Sequence, residues 1–437
     1  MSATRHSTPH LLYFAAVTER IAIIGGGAAG FMAAVTAAER GASACLYERG
    51  RALASVLRTG GGRCNITNSV PDRGALAAQY PRGEHFLLSV FSRFSNLDAV
   101  KWFESRGLPL AEEEGGRIFP ASRDARDVRD LFLALASRTG VELREETPVL
   151  GVAGGTEGFL VASAGGREAF RAVVVATGGR TAPGAADAVS GTASGYDIAR
   201  GFGHAVGELR PALAALRTQD SWFRGLSGLT VPSACIRASF RGRRVAEEEG
   251  SLLFTHTGVS GPLAFRISSR CAFLPYGPEE PLALALDLVP DIPEHGMEAQ
   301  LTRLLAENPR RRLSTVLRAW APQSLLAALL GGAGLDGEKP CAQVGRVERR
   351  KTVEALKRAP LAACGTERGG EMVTAGGVSL DEVRPATMES RRVKGLYFCG
   401  EVLDIDGFTG GFNLQAAWST GFLAGAAASG SEGVTGV

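Results

Sequence analysis

The sequence lacks the marks of membrane, secreted and metal-binding proteins. No apolar run approaches the roughly 20 residues that cross a bilayer, and the short apolar stretch at 11–17 leaves no room for a signal cleavage site. Its seven cysteines are widely spaced without a Cys-x-x-Cys pair, and its six histidines show no ligand spacing. We expect a cytoplasmic protein with reduced thiols, no metal and no membrane partner. Residues 1–17 are interpreted as a loose extension or the product of an upstream start codon.

A strong net charge is also lacking. The 437 residues carry a formal charge of +3, and 45% apolar with 21% charged residues is typical of a globular protein of two or three domains. Two dense basic runs occur, Arg310-Arg311-Arg312 and Arg349-Arg350-Lys351. We interpret both as solvated faces, so nucleic acid is not an expected partner. The oligomeric state is left open.

A dinucleotide-binding motif begins at residue 21. A short apolar strand runs directly into a Gly-x-Gly-x-x-Gly turn whose glycines are Gly25, Gly27 and Gly30, and a small-residue helix follows. A second strand then ends at Glu48. The glycines allow a tight turn, close approach of a pyrophosphate and close helix packing, while the acid can bind a ribose diol. This order predicts a nucleotide with an unphosphorylated ribose.

A second match to the same pattern, at Gly332–Gly337, lacks this context. It follows an apolar helical stretch and leads into Glu338-Lys339-Pro340, where no helix readily starts. We interpret it as a loop.

Further glycine-rich elements are dispersed along the chain, at 59–68, 176–179 and 400–415. The first can wrap a ligand or form a plain surface turn, and its Cys64 is interpreted as a packing residue. The last precedes a helix from about residue 413 to 427, whose amino end suits negative charge on a ring system. One mononucleotide does not need the three elements at 25–48, 176–179 and 400–415, whereas an extended dinucleotide with a flat ring does. We infer FAD.

From about residue 207 to residue 371 the sequence has a different pattern of apolar residues and contains no confirmed dinucleotide motif. Residues 209–270 are strand-like, and residues 292–330 have helical spacing of leucines. The predicted fold is α/β, with a Rossmann-like FAD-binding domain of the two-dinucleotide-binding flavoprotein type and an inserted β-barrel plus helical domain. The expected boundaries are 18–206 and 372–437 for the FAD domain and 207–371 for the insert, with the barrel at about 207–290 and the helices at about 291–340.

Four stretches resemble the HI0933-like (BaiN-like, or aminoacetone-oxidase-like) flavoprotein family: residues 25–30, 60–68, 255–262 and 387–415. The resemblance implies adenosine at Gly25–Glu48, the isoalloxazine near Asn65, Gly411 and Asn413, and an insert that faces the ring. The full set of expected cofactor-binding residues is Gly25, Gly27, Ala28, Ala29, Gly30, Glu48, Arg49, Gly62, Arg63, Cys64, Asn65, Thr67, Ala176, Thr177, Gly178, Gly400, Glu401, Asp404, Gly410, Gly411, Phe412 and Asn413.

The resemblance also implies redox chemistry. Family members are linked to NAD(P)H-dependent reduction of conjugated C=C bonds and to amine oxidation. We therefore expect an FAD-dependent oxidoreductase of a small organic substrate, an NAD(P)H-linked reductase with hydride transfer through flavin N5. Because no second dinucleotide fingerprint fits, NADH or NADPH would bind only transiently. Candidate catalytic residues are His256, Arg117 and Arg63. An oxygen-using amine oxidase and an RNA-associated flavoprotein remain alternatives.

Overall fold

The computed structural model describes residues 19–155, 157–180, 192–367, 369 and 372–430. The extension expected at residues 1–17 lies outside them. Within these ranges, no helix combines the length and apolar character needed to cross a bilayer.

A five-stranded parallel sheet forms the centre of the first domain. Its strands are β1 (Ile21–Ile24), β2 (Ala44–Tyr47), β6 (Glu142–Arg144), β10 (Ala172–Val175) and β19 (Leu396–Phe398), in the spatial order β19-β10-β1-β2-β6. The inner strands are wholly apolar and buried, as expected for a parallel sheet covered on both faces. Because all strands run the same way, the segments that follow them meet at one edge.

Two helices, α1 (Ala28–Glu39) and α12 (Phe412–Ala428), pack against each other in parallel. A methyl group added at Gly421 would overlap the Ala29 backbone, and one added at Gly425 would overlap the Ala33 backbone. The two helix backbones are therefore as close as glycine allows. With Gly421 beside Ala29, the amino end of α12 lies about 12 Å beyond that of α1 along the shared axis, at about 1.5 Å per residue.

The other elements of this domain surround the sheet. They are β3 (Thr67–Asn68), α2 (Arg73–Ala77), α3 (Glu84–Phe91), α4 (Asn96–Glu104), β4 (Leu110–Glu113), β5 (Arg117–Pro120), α5 (Ala125–Thr139), β7 (Val149–Gly155), β8 (Gly158–Ser163), β9 (Gly166–Phe170), α6 (Gly195–Gly201), β11 (Arg210–Ala212) and β18 (Val373–Ala375). Strands β7, β8 and β9 form an antiparallel meander that leads into β10. The pair β11–β18 is antiparallel, so the chain enters and leaves the insert side by side.

The insert is a closed six-stranded barrel with helices attached, which confirms the predicted architecture. Its elements are β12 (Leu216–Thr218), β13 (Thr230–Phe240), β14 (Arg243–Phe254), β15 (Gly258–Ser260), α7 (Gly261–Arg270), β16 (Leu282–Asp287), α8 (Glu294–Glu307), α9 (Leu313–Val316), α10 (Gln323–Gly332), α11 (Arg346–Lys357) and β17 (Ala359–Thr366). The barrel order is β12-β15-β14-β13-β16-β17. Helix α10 ends at Gly332 and no α-helix starts before Arg346, so the loop interpretation of Gly332–Gly337 is confirmed. Helix α11 lies beyond the range expected to be helical.

A buried lysine joins the helices of the insert to its barrel. The Nζ of Lys357 lies 2.5 Å from Asp287 Oδ2 and donates hydrogen bonds to the carbonyl oxygens of Val289 (2.8 Å) and Ile292 (2.7 Å). Both charged side chains are almost fully buried. The ammonium group therefore has all three of its donors satisfied, which a buried charge requires.

The insert contacts the first domain through α7. The guanidinium of Arg82 forms an ion pair with Asp406 and donates to the Ser269 carbonyl oxygen at 3.0 Å, while Ser269 Oγ donates to Asp406 Oδ2 at 2.7 Å. The Arg266 guanidinium lies 4.0 Å from the centre of the Phe408 ring. Helix α7 is thus attached to the loop that leads into α12.

Candidate functional site

The turn after β1 leaves an open space at the amino end of α1. Gly25 has a positive φ of 108°, and a Cβ there would overlap the backbone of Ala176, so close strand packing requires this glycine. At Gly27 the nearest atom to an added Cβ would be Ser55 Oγ, at 3.6 Å. No side chain of the described residues caps the helix. The space at Gly27 is therefore one that an anionic group can enter, facing N–H groups at the positive end of α1.

Glu48, at the end of β2, stabilises this turn. Its Oε2 accepts a hydrogen bond from the Gly26 N–H at 2.7 Å, and its Oε1 accepts one from the Gly50 N–H at 2.8 Å. A carboxylate has about four acceptor positions, so acceptor capacity remains for the ribose contact predicted for Glu48. Arg49 is exposed beside it.

The ends of β10 and β19 complete the same edge. A Cβ on Gly400 would stand 2.8 Å from the Ala29 Cβ, so the β19 turn touches the start of α1. Glu401 Oε1 accepts from the Thr374 N–H at 2.8 Å. The predicted elements at 25–30, 176–179 and 400–401 are thus brought together, as the parallel sheet requires.

Two buried oxygens on this edge lack a hydrogen-bond partner among the residues that the structure describes: Asp404 Oδ1 and the Tyr196 hydroxyl. Burial raises the pKa of both groups, and the charges of Glu401 and Asp404 raise that of Tyr196 further. Unpartnered buried oxygens are costly, and ligand hydroxyls such as those of a ribityl chain would satisfy them. The carboxylate oxygen and the hydroxyl at this edge therefore fit the polyol chain of FAD. Tyr196 carries no motif in the sequence and was not predicted.

The amino end of α12 is connected to the 59–68 loop. With its amide oriented to satisfy both ends, Asn65 accepts from the Gly411 N–H at 2.9 Å and donates to Ile118 O at 3.2 Å. Asn68 Nδ2 donates to the Gly410 carbonyl oxygen at 3.1 Å. These contacts hold the two glycines beside the loop, where the resemblance expects the flavin ring.

Several side chains predicted to bind the cofactor make hydrogen bonds within the protein. Asn413 accepts from the Gly407 N–H at 2.8 Å and donates to the Gly407 carbonyl oxygen at 2.7 Å. Buried Thr67 donates to Gln415 Oε1 at 2.6 Å. These side chains fix the backbone of the 407–415 segment, from which the cofactor contacts are expected.

Cys64 is a buried residue with a positive φ of 58°. Burial raises the pKa of its thiol to about 12. The thiol is therefore neutral near pH 7 and unsuited to thiolate chemistry, in agreement with the packing role expected from the sequence.

Two of the three candidate catalytic residues lie together beside this loop. The guanidinium carbons of Arg63 and Arg117 lie 4.4 and 5.9 Å from the centre of the Phe119 ring. Arg63 forms an ion pair with Glu113 at 3.1 Å, whereas Arg117 Nε donates to the Glu114 carbonyl oxygen at 2.9 Å. Arg117 is consequently the cation with more free donors.

The third candidate, His256, is exposed on the turn between β14 and β15. The next residue, Thr257, donates through its hydroxyl to Glu367 Oε2 at 3.0 Å, and its carbonyl oxygen accepts from the Thr218 N–H at 3.0 Å. In the described part of the chain, no contact joins His256 to either arginine. The structure therefore brings together Arg63 and Arg117, and places His256 in the barrel.

Comparison with known proteins identifies the family. The model of the HI0933-like protein Rossmann domain matches residues 19–427. The chain belongs to the HI0933-like family. A 3-dehydro-bile acid delta(4,6)-reductase of Clostridium scindens is 31% identical to this HI0933-like protein over 414 residues, covering 94% of the chain and 98% of the relative. A ribosomal RNA dihydrouridine synthase of Haemophilus influenzae is also 31% identical, over 412 residues, covering 92% of the chain and 96% of the relative.

A solved structure supports the fold of this HI0933-like protein. The 3-ketosteroid delta1-dehydrogenase of Sterolibacterium denitrificans superposes with a TM-score of 0.50 at 14% identity, covering 94% of the chain and all of that structure. The predicted fold class and family are confirmed. The HI0933-like protein is an enzyme of the FAD-dependent oxidoreductase kind, as predicted.

Proposed function

We propose that the chain is a reductase of carbon–carbon double bonds conjugated to a carbonyl group, with NADH or NADPH as the electron donor. Both relatives carry names that describe the saturation of such bonds, in a delta(4,6)-reductase and in a dihydrouridine synthase. Bound FAD would supply the two-electron carrier between the nicotinamide and the double bond. The donor would bind transiently, because the 25–30 motif is the one dinucleotide fingerprint with a strand–turn–helix context.

The observation that carries this proposal is the arrangement at the amino end of α12. Gly411 precedes the first residue of the helix, and no side chain of the described residues caps it in the usual N-cap geometry. Asn65 lies next to Gly411. Asn68 connects Gly410 to the 115–119 segment, which carries Arg117. The N–H groups of the helix would stabilise negative charge on a reduced ring system. A cation at this place would stabilise negative charge on the substrate's carbonyl oxygen as hydride arrives at the distal carbon.

The two arginines differ in how they are held, and we assign them different roles. Arg63 is bound by Glu113 and by the Gly60 carbonyl oxygen, so we propose that it positions the Phe119 face. Arg117 makes one hydrogen bond, to a backbone oxygen, and we propose that its remaining N–H groups donate to the substrate oxygen. His256 is proposed as a proton donor from the insert, a role its exposed position leaves open to a substrate between the domains.

A stopped-flow experiment in two half-reactions tests the proposal. NADH or NADPH should bleach the bound flavin under anaerobic conditions, and an enone should restore its colour. In Arg117→Ala, bleaching should keep its rate, whereas reoxidation by the enone should slow by about 10²–10³-fold, the effect of losing one oxyanion donor. Arg123→Ala is the control, because Arg123 is an exposed arginine of the same region that pairs with the Glu113 partner of Arg63, at 3.0 Å.

Other outcomes would contradict specific parts of the proposal. Bleaching by amines with peroxide formation in air would instead support the amine oxidase alternative. Equal slowing in Arg117→Ala and Arg123→Ala would remove the role of Arg117. For His256→Gln, slower reoxidation by the enone is expected while bleaching keeps its rate, and an unchanged reoxidation rate would dismiss its proton transfer.

A second candidate substrate class is a pyrimidine base within RNA. It is favoured by the dihydrouridine synthase relative, which covers nearly the whole chain at the same identity as the bile acid enzyme. The reaction would be the same in both cases, and the reoxidation assay with a uridine-containing RNA in place of the enone separates them.

A further inference from the structure

The first basic run of the sequence, Arg310-Arg311-Arg312, is hydrogen-bonded to the segment that leads into the helix carrying the second, Arg349-Arg350-Lys351. The Cys341 N–H donates to the Arg311 carbonyl oxygen at 2.8 Å, and the Ala342 N–H donates to the Pro309 carbonyl oxygen at 3.0 Å. This pairing places the 309–312 segment against the chain that enters α11 at Arg346. We call the surface formed by Arg310, Arg311, Arg346, Arg350 and Lys351 the basic face.

The cations of the basic face are exposed, and none has an ion-pair partner within the part of the chain that the structure describes. Residues 346 and 350 are one helical turn apart and lie on the same side of α11. Val347, between them, is 70% exposed. Helix α11 therefore turns a charged side to solvent and buries Thr352 and Leu356.

Two of the nearby acids are held by other groups, while Glu354, one turn after Arg350 on α11, is exposed. Glu348 accepts from Lys339 Nζ at 2.7 Å and from the Gly345 N–H at 2.8 Å, and Glu338 is paired with Arg312. Between residues 308 and 351 the sequence has nine arginines and lysines and three acids, although the whole chain has a net charge of only +3. The positive charge is thus concentrated on the insert.

We propose that the basic face is a docking surface for the phosphate backbone of RNA. A concentration of unpaired arginines and lysines attracts polynucleotides by releasing their counterions, without reading the sequence. The choice of RNA among polyanions rests on the second candidate under the proposed function. The face would hold the RNA while a base reaches the redox site in the other domain.

Binding of a fluorescent single-stranded RNA to the FAD-loaded full-length protein, measured by anisotropy over a salt series, tests this proposal. Arg346→Ala/Arg350→Ala and Arg310→Ala/Arg311→Ala should each weaken binding and lower the slope of log affinity against log salt by about 1.4, or 0.7 per phosphate contact. The matched control is Arg167→Ala/Arg243→Ala, which removes two exposed cations from other surfaces and should leave the slope unchanged.

Three results would overturn the proposal: no RNA binding by the unaltered protein at low salt, an equal loss in the control, or tighter binding to phosphatidylglycerol vesicles than to RNA. Melting temperature and flavin content should match the unaltered protein in all variants, which shows that they are folded. Flavin bleaching by NAD(P)H, measured on the same samples, reports the proposed reaction separately, because RNA binding requires no turnover.

Discussion

The close packing of α12 on α1 makes a sharp prediction for Gly421→Ala. The added methyl would stand 3.1 Å from both the Cα and the carbonyl carbon of Ala29 and would overlap the carbonyl oxygen. Favourable carbon–carbon contacts lie at about 3.5–4.0 Å. The obstructing atoms belong to the backbone of α1 and cannot change conformation as a side chain changes rotamer. Helices α1 and α12 must therefore separate.

The size of the effect follows from two opposing terms. Overpacking costs about 1–3 kcal/mol, and rigid backbone contacts place this site near the upper value. Replacing glycine by alanine inside a helix contributes about 1 kcal/mol in the opposite direction. The net destabilisation is about 2 kcal/mol, which lowers the melting temperature of a domain of this size by about 4–8 °C.

Differential scanning fluorimetry of the FAD-loaded protein measures this shift. Flavin retention after gel filtration should also fall, since separation of the helices moves the amino end of α12. Gly201→Ala is the control: Gly201 ends α6, and an added methyl there meets no atom within 4 Å. We expect its stability to be unchanged or raised by up to about 1 kcal/mol, the gain of alanine over glycine in a helix. A Gly421→Ala protein that melts with the control, or above the unaltered protein, would refute the packing argument.

Three further predictions concern the groove, the insert and a thiol. Gly27→Asp should yield a folded, colourless protein, because its carboxylate fills the space at the start of α1. Gly225→Asp, at an exposed glycine where an added Cβ meets no atom within 4 Å, should stay yellow by its absorbance near 450 nm. Lys357→Met should destabilise the insert by about 3–5 kcal/mol in a urea melt, since its buried carboxylate partner loses its counter-charge; an unchanged melt would contradict this. Burial raises the pKa of Cys64 to about 12, so Cys64 should resist iodoacetamide at pH 8, whereas partly exposed Cys364 should react. Peptide mass spectrometry measures both reactions, and labelling of Cys64 in the folded protein would show that its thiol is accessible.

Local sequence patterns predicted the parts of the fold whose causes are local. The turn at 25–30 requires glycine for reasons set by the next strand and helix, so its role could be predicted from a dozen residues. By contrast, α11 was not predicted to be helical: it is strongly basic, and only Thr352, Leu356 and Lys357 are buried, so it shows little apolar periodicity. Strand β17 contains Pro360 and several alanines, and only closure of the barrel makes it a strand.

The site shows the same division. Glycines that approach a ligand were predicted from their motifs, but the tasks of polar side chains depend on neighbours distant in sequence. Thr67 hydrogen-bonds with Gln415, 348 residues away, and Arg63 is held by Glu113. Tyr196 is a single tyrosine in a short helix, and its unpartnered hydroxyl becomes visible only when β10 and the 400–404 segment lie around it.

The division of the first domain around the insert has a consequence for how the protein is made. The barrel and its helices form one contiguous stretch, so they can fold while the ribosome is still adding residues. The parallel sheet cannot be completed during this time. Strand β10 pairs with β19, which is synthesised more than 200 residues later, and α1 packs against α12, which is synthesised more than 370 residues later. Until then the side of α1 that contacts α12 remains uncovered, and folding has to bridge a long loop. Flavin loading is therefore a late step, and premature termination before α12 should yield a chain with a folded barrel that chaperones and proteases still recognise as unfinished.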